Sequence, residues 1–147
     1  MDNIFVDPHG NTPLINACGD EDYDMVLALV QDGADVNVAN IFGRTPLERA
    51  VDCVHKNEID AVKIVSLLLT NNANINAQNI DGETALMKAA YRRHTPLLRL
   101  LIDNGANVNL RRTDGDTILS SIERAAPSTI RMLKKVTRMI EEAGGVR

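Results

Sequence analysis

The sequence predicts an all-α solenoid of four helix-turn-helix units with hairpin loops between units, and three observations carry that expectation. One phrase recurs with turn and cap residues in fixed places: GNTPLINA from Gly10, GRTPLERA from Gly43, GETALMKA from Gly82 and GDTILSSI from Gly115, spaced 33, 39 and 33 residues apart. A second phrase keeps the same phase: DGADVNV ending at Val38, NNANINA ending at Ala77 and NGANVNL ending at Leu110. Third, the 147 residues are 44% hydrophobic but only 3% aromatic, with no Trp, so Leu, Ile, Val and Ala must build the core, a composition suited to helices. That length fits one domain over 1–147, with units at about 7–38, 40–77, 79–110 and 112–147 and capping residues at both ends.

The elements follow in order. Thr12 and Thr45 stand where an N-cap hydroxyl is needed, and Pro13 and Pro46 follow at the first helical position, where the missing N–H has no intrahelical partner to lose. A short helix is expected after each cap. The second helix of each unit places apolar residues at helical spacing: Met25, Val26, Leu29 and Val30, then Ile64, Val65, Leu67 and Leu68, then Leu97, Leu98, Leu101 and Ile102. In HTPLLRLL, residues 94–101, Thr95 comes only eleven residues after Thr84, so Thr95 is read as a helix cap reused, with Thr95 and Pro96 starting a second helix and not a new unit. Gly33 and Gly105 fit the left-handed residue that closes such helices, and Asn72, the best substitute for glycine there, holds the same phase. Hairpin-like loops are expected around 38–44, 77–83 and 110–116, and one of them puts Ile41 and Phe42 directly before the turn glycine Gly43.

The 39-residue spacing adds six residues to the second unit, within 50–61, and Thr117 to Gly144 spans 27 residues where Thr12 to Gly33 spans 21. Longer helices or a bulged connection are expected in both places, because such an excess is nearly two helical turns. At the N-terminal end Ile4, Phe5 and Val6 are expected to cover the first unit. At the other end an amphipathic capping helix is expected, with Ile130, Leu133, Val136, Met139 and Ile140 along one side and Arg131, Lys134, Lys135 and Arg138 along another.

These phrases at this period resemble the ankyrin repeat, whose unit carries a T-P-L-H-x-A signature, and the resemblance covers nearly the whole chain. The sequence departs from it at the His, replaced by Ile15, Glu48, Met87 and Ser120, and at the Pro, replaced by Ala85 and Ile118 in the last two units. Those changes are expected to weaken individual turns and leave the fold intact. The resemblance implies a partner protein lying across hairpin tips and the exposed side of the first helices. Carried over by phase, the tips offer Pro8, His9 and Asn11; Ile41, Phe42 and Arg44; Ile80, Asp81 and Glu83; and Thr113, Asp114 and Asp116. The first helices add Asp20, Tyr91 and Arg92. Aromatic and Arg side chains supply most interface hot spots, which singles out Phe42, Arg44, Tyr91 and Arg92. The resemblance further implies an inhibitor that occludes its partner or, alternatively, an adaptor or effector that tethers one. It also implies that Asn37, Asn76 and Asn109 stand where such repeats can be hydroxylated, although an Asn there equally holds loop backbone by hydrogen bonds.

Chemistry gains little support from the residues. Nothing resembles GxSxG, a phosphate-cradling Gly loop or a Cys/His nucleophile pair, and GDEDYD lacks the pattern of a calcium loop, so Asp20, Glu21, Asp22 and Asp24 are read as a solvated acidic turn that starts a helix. Cys18 and Cys53 are read as small core residues, and His9, His55 and His94 are too scattered for a zinc site. No enzyme activity, cofactor, metal or small-molecule substrate is expected. With no apolar stretch of membrane-spanning length and no basic leader, a cytoplasmic protein is expected, or a nuclear one, or one delivered into a host cell. The expected partner is another protein and not nucleic acid, because the chain carries net charge -4 and its basic residues have no interleaved aromatics. A monomer is expected. Charge is graded along the chain: residues 1–40 carry eight acids and no Lys or Arg, 41–80 carry four of each sign, and 81–147 carry twelve basic residues against eight acids.

Overall fold

A computed structural model describes residues 5–54, 57–125 and 130–147, with side chains omitted for Ala125 and 130–133. The described residues form eight helices and no strand: α1 (Pro13–Gly19), α2 (Tyr23–Gln31), α3 (Pro46–Asp52), α4 (Glu58–Thr70), α5 (Ala85–Tyr91), α6 (Thr95–Asp103), α7 (Ile118–Ala125) and α8 (Ile130–Glu142). They pair into four units. The first helices pack in series, α1 on α3, α3 on α5 and α5 on α7, while α2 packs on α4 and α4 on α6, giving two layers with the core between them.

Each first helix starts as the repeated Thr predicts. The Thr12, Thr45, Thr84 and Thr117 hydroxyls accept the amide three residues on, from Ile15, Glu48, Met87 and Ser120, at 3.2, 3.3, 3.2 and 3.3 Å. In the fourth unit Ser120 returns the favour, its Oγ accepting the Thr117 N–H at 2.8 Å, so two orphan donors are satisfied reciprocally. The second helices end alike. Asn72 adopts φ 66°, in the left-handed region, and the next amide, Ala73, reaches back to the Leu68 carbonyl at 3.0 Å, just as Ala34 reaches Leu29 and Ala106 reaches Leu101 after the glycines of the same phase.

The six extra residues of the second unit divide between helix and loop. α4 has 13 residues where α2 and α6 have 9, and the added turn lies at its N-terminal end. His55 and Lys56, in the connection before it, lie outside the described residues. The turn is fastened to the first unit, since Asn57 donates its backbone N–H to Glu21 Oε2 at 2.7 Å, and on its other side Glu58 lies 3.6 Å from His94. α8 is likewise 13 residues long, and its Val136, Met139 and Ile140 are buried while Lys134, Lys135 and Arg138 are exposed. The expectations for Ile130, Arg131 and Leu133 concern side chains outside the described set.

Four sequence expectations are corrected. The cap of α6 is His94, whose Nδ1 accepts the Leu97 N–H at 3.2 Å; Thr95 is already the first helical residue. Glu21 is not solvated: it is buried at a left-handed φ of 57° and serves the second unit. Phe5 and Val6 are largely exposed and do not seal the first unit, and Ile4 lies outside the described residues. Met25 is 50% exposed although its helical phase is that of the core. The remaining core is aliphatic, built on Leu14, Leu47, Ile64, Leu68, Leu86, Leu97, Leu98, Leu101, Ile118 and Leu119. Cys18 and Cys53 are free and buried within it, and burial pushes the Cys18 thiol up to about 12.

Candidate functional site: the hairpin tips

The tips are built by one residue three places before each turn glycine. Asp7 Oδ1 accepts the amides of His9 and Asn11 at 2.8 and 3.0 Å, Asn40 Oδ1 those of Phe42 and Arg44 at 2.9 and 3.0 Å, and Asn79 Oδ1 those of Asp81 and Glu83 at 2.9 and 3.0 Å. A short side-chain acceptor thereby imitates a backbone turn. Arg112 takes this place in the fourth tip, where the two amides lose that side-chain acceptor and the backbone bonds remain, from the Arg112 amide to the Asp116 carbonyl and from the Gly115 amide to the Arg112 carbonyl, both at 2.9 Å.

Successive tips are then linked by main chain. The amides of Ile41, Ile80 and Thr113 donate to the carbonyls of His9, Phe42 and Asp81 at 3.1, 3.0 and 3.0 Å. The approach is so close at Gly82 that a Cβ there would stand 2.7 Å from the Thr113 nitrogen. The tips therefore form a continuous ledge whose side chains are held at a fixed spacing.

On that ledge Ile41, Phe42 and Ile80 stay 64%, 39% and 61% exposed, an apolar run that the fold could have buried and does not. The His9 ring lies 6.1 Å from the Phe42 ring, and the Arg44 guanidinium lies 5.9 Å from it on the cation–π side. Exposed Asp81 and Asp114 flank the run. The structure thus brings His9, Ile41, Phe42, Arg44, Ile80 and Asp81 together. Asn11 is drawn inward, accepting from Asn40 Nδ2 at 2.8 Å. Asp116 is held by Arg124 at 2.6 Å, and Arg112 and Arg124 approach Asp114 at 3.6 and 3.7 Å. Tyr91, the last residue of α5, and Arg92, its C-cap, sit apart; Tyr91 is half-buried, and Arg92 Nη2 pairs with Asp52 of α3 at 3.1 Å. Asp20, at the end of α1, is exposed.

Glu83 stands apart from the other candidates because it points inward. It is buried, meeting Lys88 Nζ at 2.6 Å and Arg112 Nη1 at 3.9 Å; burial raises its carboxyl, and the hydrogen bond and charge of Lys88 outweigh that and leave it below its ordinary value. Beneath it lies Glu48, at 2% exposure, whose Oε1 accepts from Asn79 Nδ2 at 2.8 Å; the same amide reaches Glu83 at 3.3 Å. Burial pushes the Glu48 carboxyl up to about 7, against the downward pull of Asn79, Lys88 and Arg44. The sequence marked Glu48 only as a departure from the signature His. That Asn79 bridges two buried carboxylates has no signal in spacing or composition, because the two Glu lie 35 residues apart.

The Asn of the second phrase hold the next unit. Asn37 Oδ1 accepts the Asn74 amide at 2.7 Å while its Nδ2 donates to the Asn72 carbonyl at 3.1 Å; Asn76 accepts from Asn107 at 2.8 Å; Asn109 accepts from Val146 at 2.8 Å and donates to Gly144 at 3.0 Å. Among the described residues no group of His, Cys, Asp and Glu is arranged to hold a metal ion, and no helix is long and apolar enough to cross a membrane.

Comparison with known proteins agrees with this architecture. Family models described as ankyrin repeats match residues 2–79 and 67–120. The chain is similar to the ankyrin repeat protein FPV243 of fowlpox virus (46% identical over 61 residues), to the B-cell lymphoma 3 protein homolog of Mus musculus (39% over 77) and to the Notch protein of Drosophila melanogaster (38% over 89). These matches cover 41%, 52% and 60% of this chain but only 21%, 16% and 3% of the relatives, so the chain spans about a fifth of their length or less.

Proposed function

The chain belongs to the ankyrin-repeat family, a family of protein-binding modules, and from that premise we propose that it binds a partner protein along the ledge of hairpin tips. The observation that carries this is the exposure of Ile41, Phe42 and Ile80 on backbone that is cross-linked from tip to tip. Large apolar side chains held rigidly in water lose little conformational entropy on binding and gain desolvation, the pattern expected of an interface centre. His9 and Arg44 around Phe42, and Asp81 beside Ile80, supply the polar rim; Tyr91, Arg92, Asp114 and Asp116 extend the surface toward the third and fourth units.

The binding acts by occlusion, as an inhibitor's would. Affinity purification followed by an activity assay on the captured protein tests both parts. Replacing Phe42 by Ala is expected to weaken capture by about tenfold or more while melting barely changes. Unchanged affinity would remove the tips as the site, and a captured enzyme that stays fully active while bound would make the chain a tethering adaptor instead.

A further inference from the structure

The four units are copies in phase, so the burial of each position can be compared down the stack. The phase of Met25 holds Ile64, Leu97 and Val136 in the other units; these are 0%, 0% and 2% exposed, and Met25 is 50% exposed. The phase of Leu29 holds Leu68, Leu101 and Ile140, all buried, whereas Leu29 is only partly so. The phase of Pro13 holds Pro46, Ala85 and Ile118, all buried, and Pro13 is exposed. In the inner units these positions are covered by the unit before. The first unit keeps core-type side chains at positions that a solvent-facing end would make polar.

The opposite end is different. There the phase of buried Ala90 holds exposed Glu123, and the phase of buried Leu98 holds Thr137, so the last unit turns polar residues outward. A second copy stacking end to end would set those polar groups against the apolar first unit, and two first units face to face would oppose like charges. Beside Pro13, Leu29 and Val38 runs a groove of about 450 Å³, with Phe5 on one wall and Asp32 and Asp35 on its rim. Asp20, Asp22 and Asp24 are exposed on the same unit, and no Lys or Arg occurs in residues 1–40.

We infer that the N-terminal face of the solenoid, Pro13, Met25, Leu29 and Val38 with its acidic rim, is a second docking surface, for a basic amphipathic helix of a partner protein. An apolar stripe on that helix fills the place that a preceding unit fills elsewhere in the stack, and its Lys or Arg side chains meet a rim with no positive charge. The surface lies on a different face from the tips and stands whether or not the tips bind.

The probe is a synthetic amphipathic helical peptide of leucine and lysine, with its leucine and glutamate counterpart as control, titrated into the full chain labelled at its methionine methyls. The Leu–Lys peptide is expected to shift the Met25 methyl saturably and leave the buried Met87 methyl in place, with affinity weakened at least about fivefold by raised salt. Met25→Asp and, separately, Asp32→Lys, both at exposed positions, are each expected to weaken it about tenfold. Failure of the Met25 methyl to move, equal binding of the Leu–Glu peptide, or unchanged affinity in both variants overturns the inference. So does a dimer of the chain alone, seen by sedimentation and abolished by Met25→Asp, because the occupant would then be a second copy. Loss of peptide binding on Phe42→Ala, with none on Met25→Asp, would place the peptide on the tips and likewise overturn it.

Discussion

The second and third hairpins make the same turn and anchor it differently. In both, an Asn side-chain oxygen gathers two amides, and the backbone closes with bonds of 2.9 Å from Gly43 to Asn40 and from Gly82 to Asn79. The Asn40 amide then donates to another neutral side chain, Asn11, near the surface, while the Asn79 amide donates into a buried pair of carboxylates, Glu48 and Glu83. A turn needs only the oxygen of its Asn. The nitrogen is free to take any acceptor the neighbouring unit offers, so one backbone pattern supports a cross-link indifferent to pH and another that is sensitive to it.

The largest expected difference lies in the two Asn themselves. Asn79→Ala removes two bonds to backbone and the close donor to the buried Glu48 carboxyl, while Glu83 keeps Lys88, for a loss of about 4 kcal/mol, whereas Asn40→Ala removes neutral, part-exposed bonds for about 2 kcal/mol. Denaturant unfolding measures both, and equal losses would erase the contrast between the hairpins.

Next comes Glu48→Gln. The folded chain holds the Glu48 proton up to about pH 7, whereas the unfolded chain releases it near 4.5, so the wild type loses stability as pH rises between those values and carries the full penalty above them. The variant is expected to lack that slope and to be more stable by roughly 3 kcal/mol in mild alkali, with the advantage vanishing below the ordinary glutamate value. Unfolding free energies across pH decide it; a parallel pair of curves would mean that Glu48 is ionised in the fold.

The first hairpin should slope the other way and more gently. Asn11 and the amides around Asp7 hold that carboxyl down at about 2 against an ordinary 3.8, so its contribution is present above the ordinary value and fades as pH falls through that window. Asp7→Asn is expected to flatten only this acid limb of the stability profile. Smallest of all is Phe42→Ala, which should shift stability by less than about 1 kcal/mol because the ring is already open to water; a larger loss would show that the ring holds the ledge together and is not held by it.

Much of this was legible in the sequence. The Thr caps, the left-handed Asn72, the positions of the loops and the six-residue excess in the second unit all follow from short-range rules, because a cap or a turn is satisfied by residues three to five places away. Spacing alone could not say that the excess would become one helical turn pinned by Glu21. Periodicity placed Met25 and Leu29 on a core face, which they have, but what covers that face depends on the neighbouring unit, and the first unit has none before it in the structure. The candidate tip residues were chosen by phase, and phase does not distinguish Glu83, turned inward to Lys88, from Asp81 two places away and turned out.

Local sequence is enough to define the repeating unit, its caps and its turns, since each rests on bonds that close within a few residues. Stacking decided the rest. Only when tip lay against tip did Ile41, Phe42 and Ile80 become a fixed exposed row, and only when the third hairpin settled over α3 did Asn79 meet Glu48 and shut it away from water. Exposure and desolvation belong to surfaces brought together from distant parts of the chain, and no local pattern records which surfaces those will be.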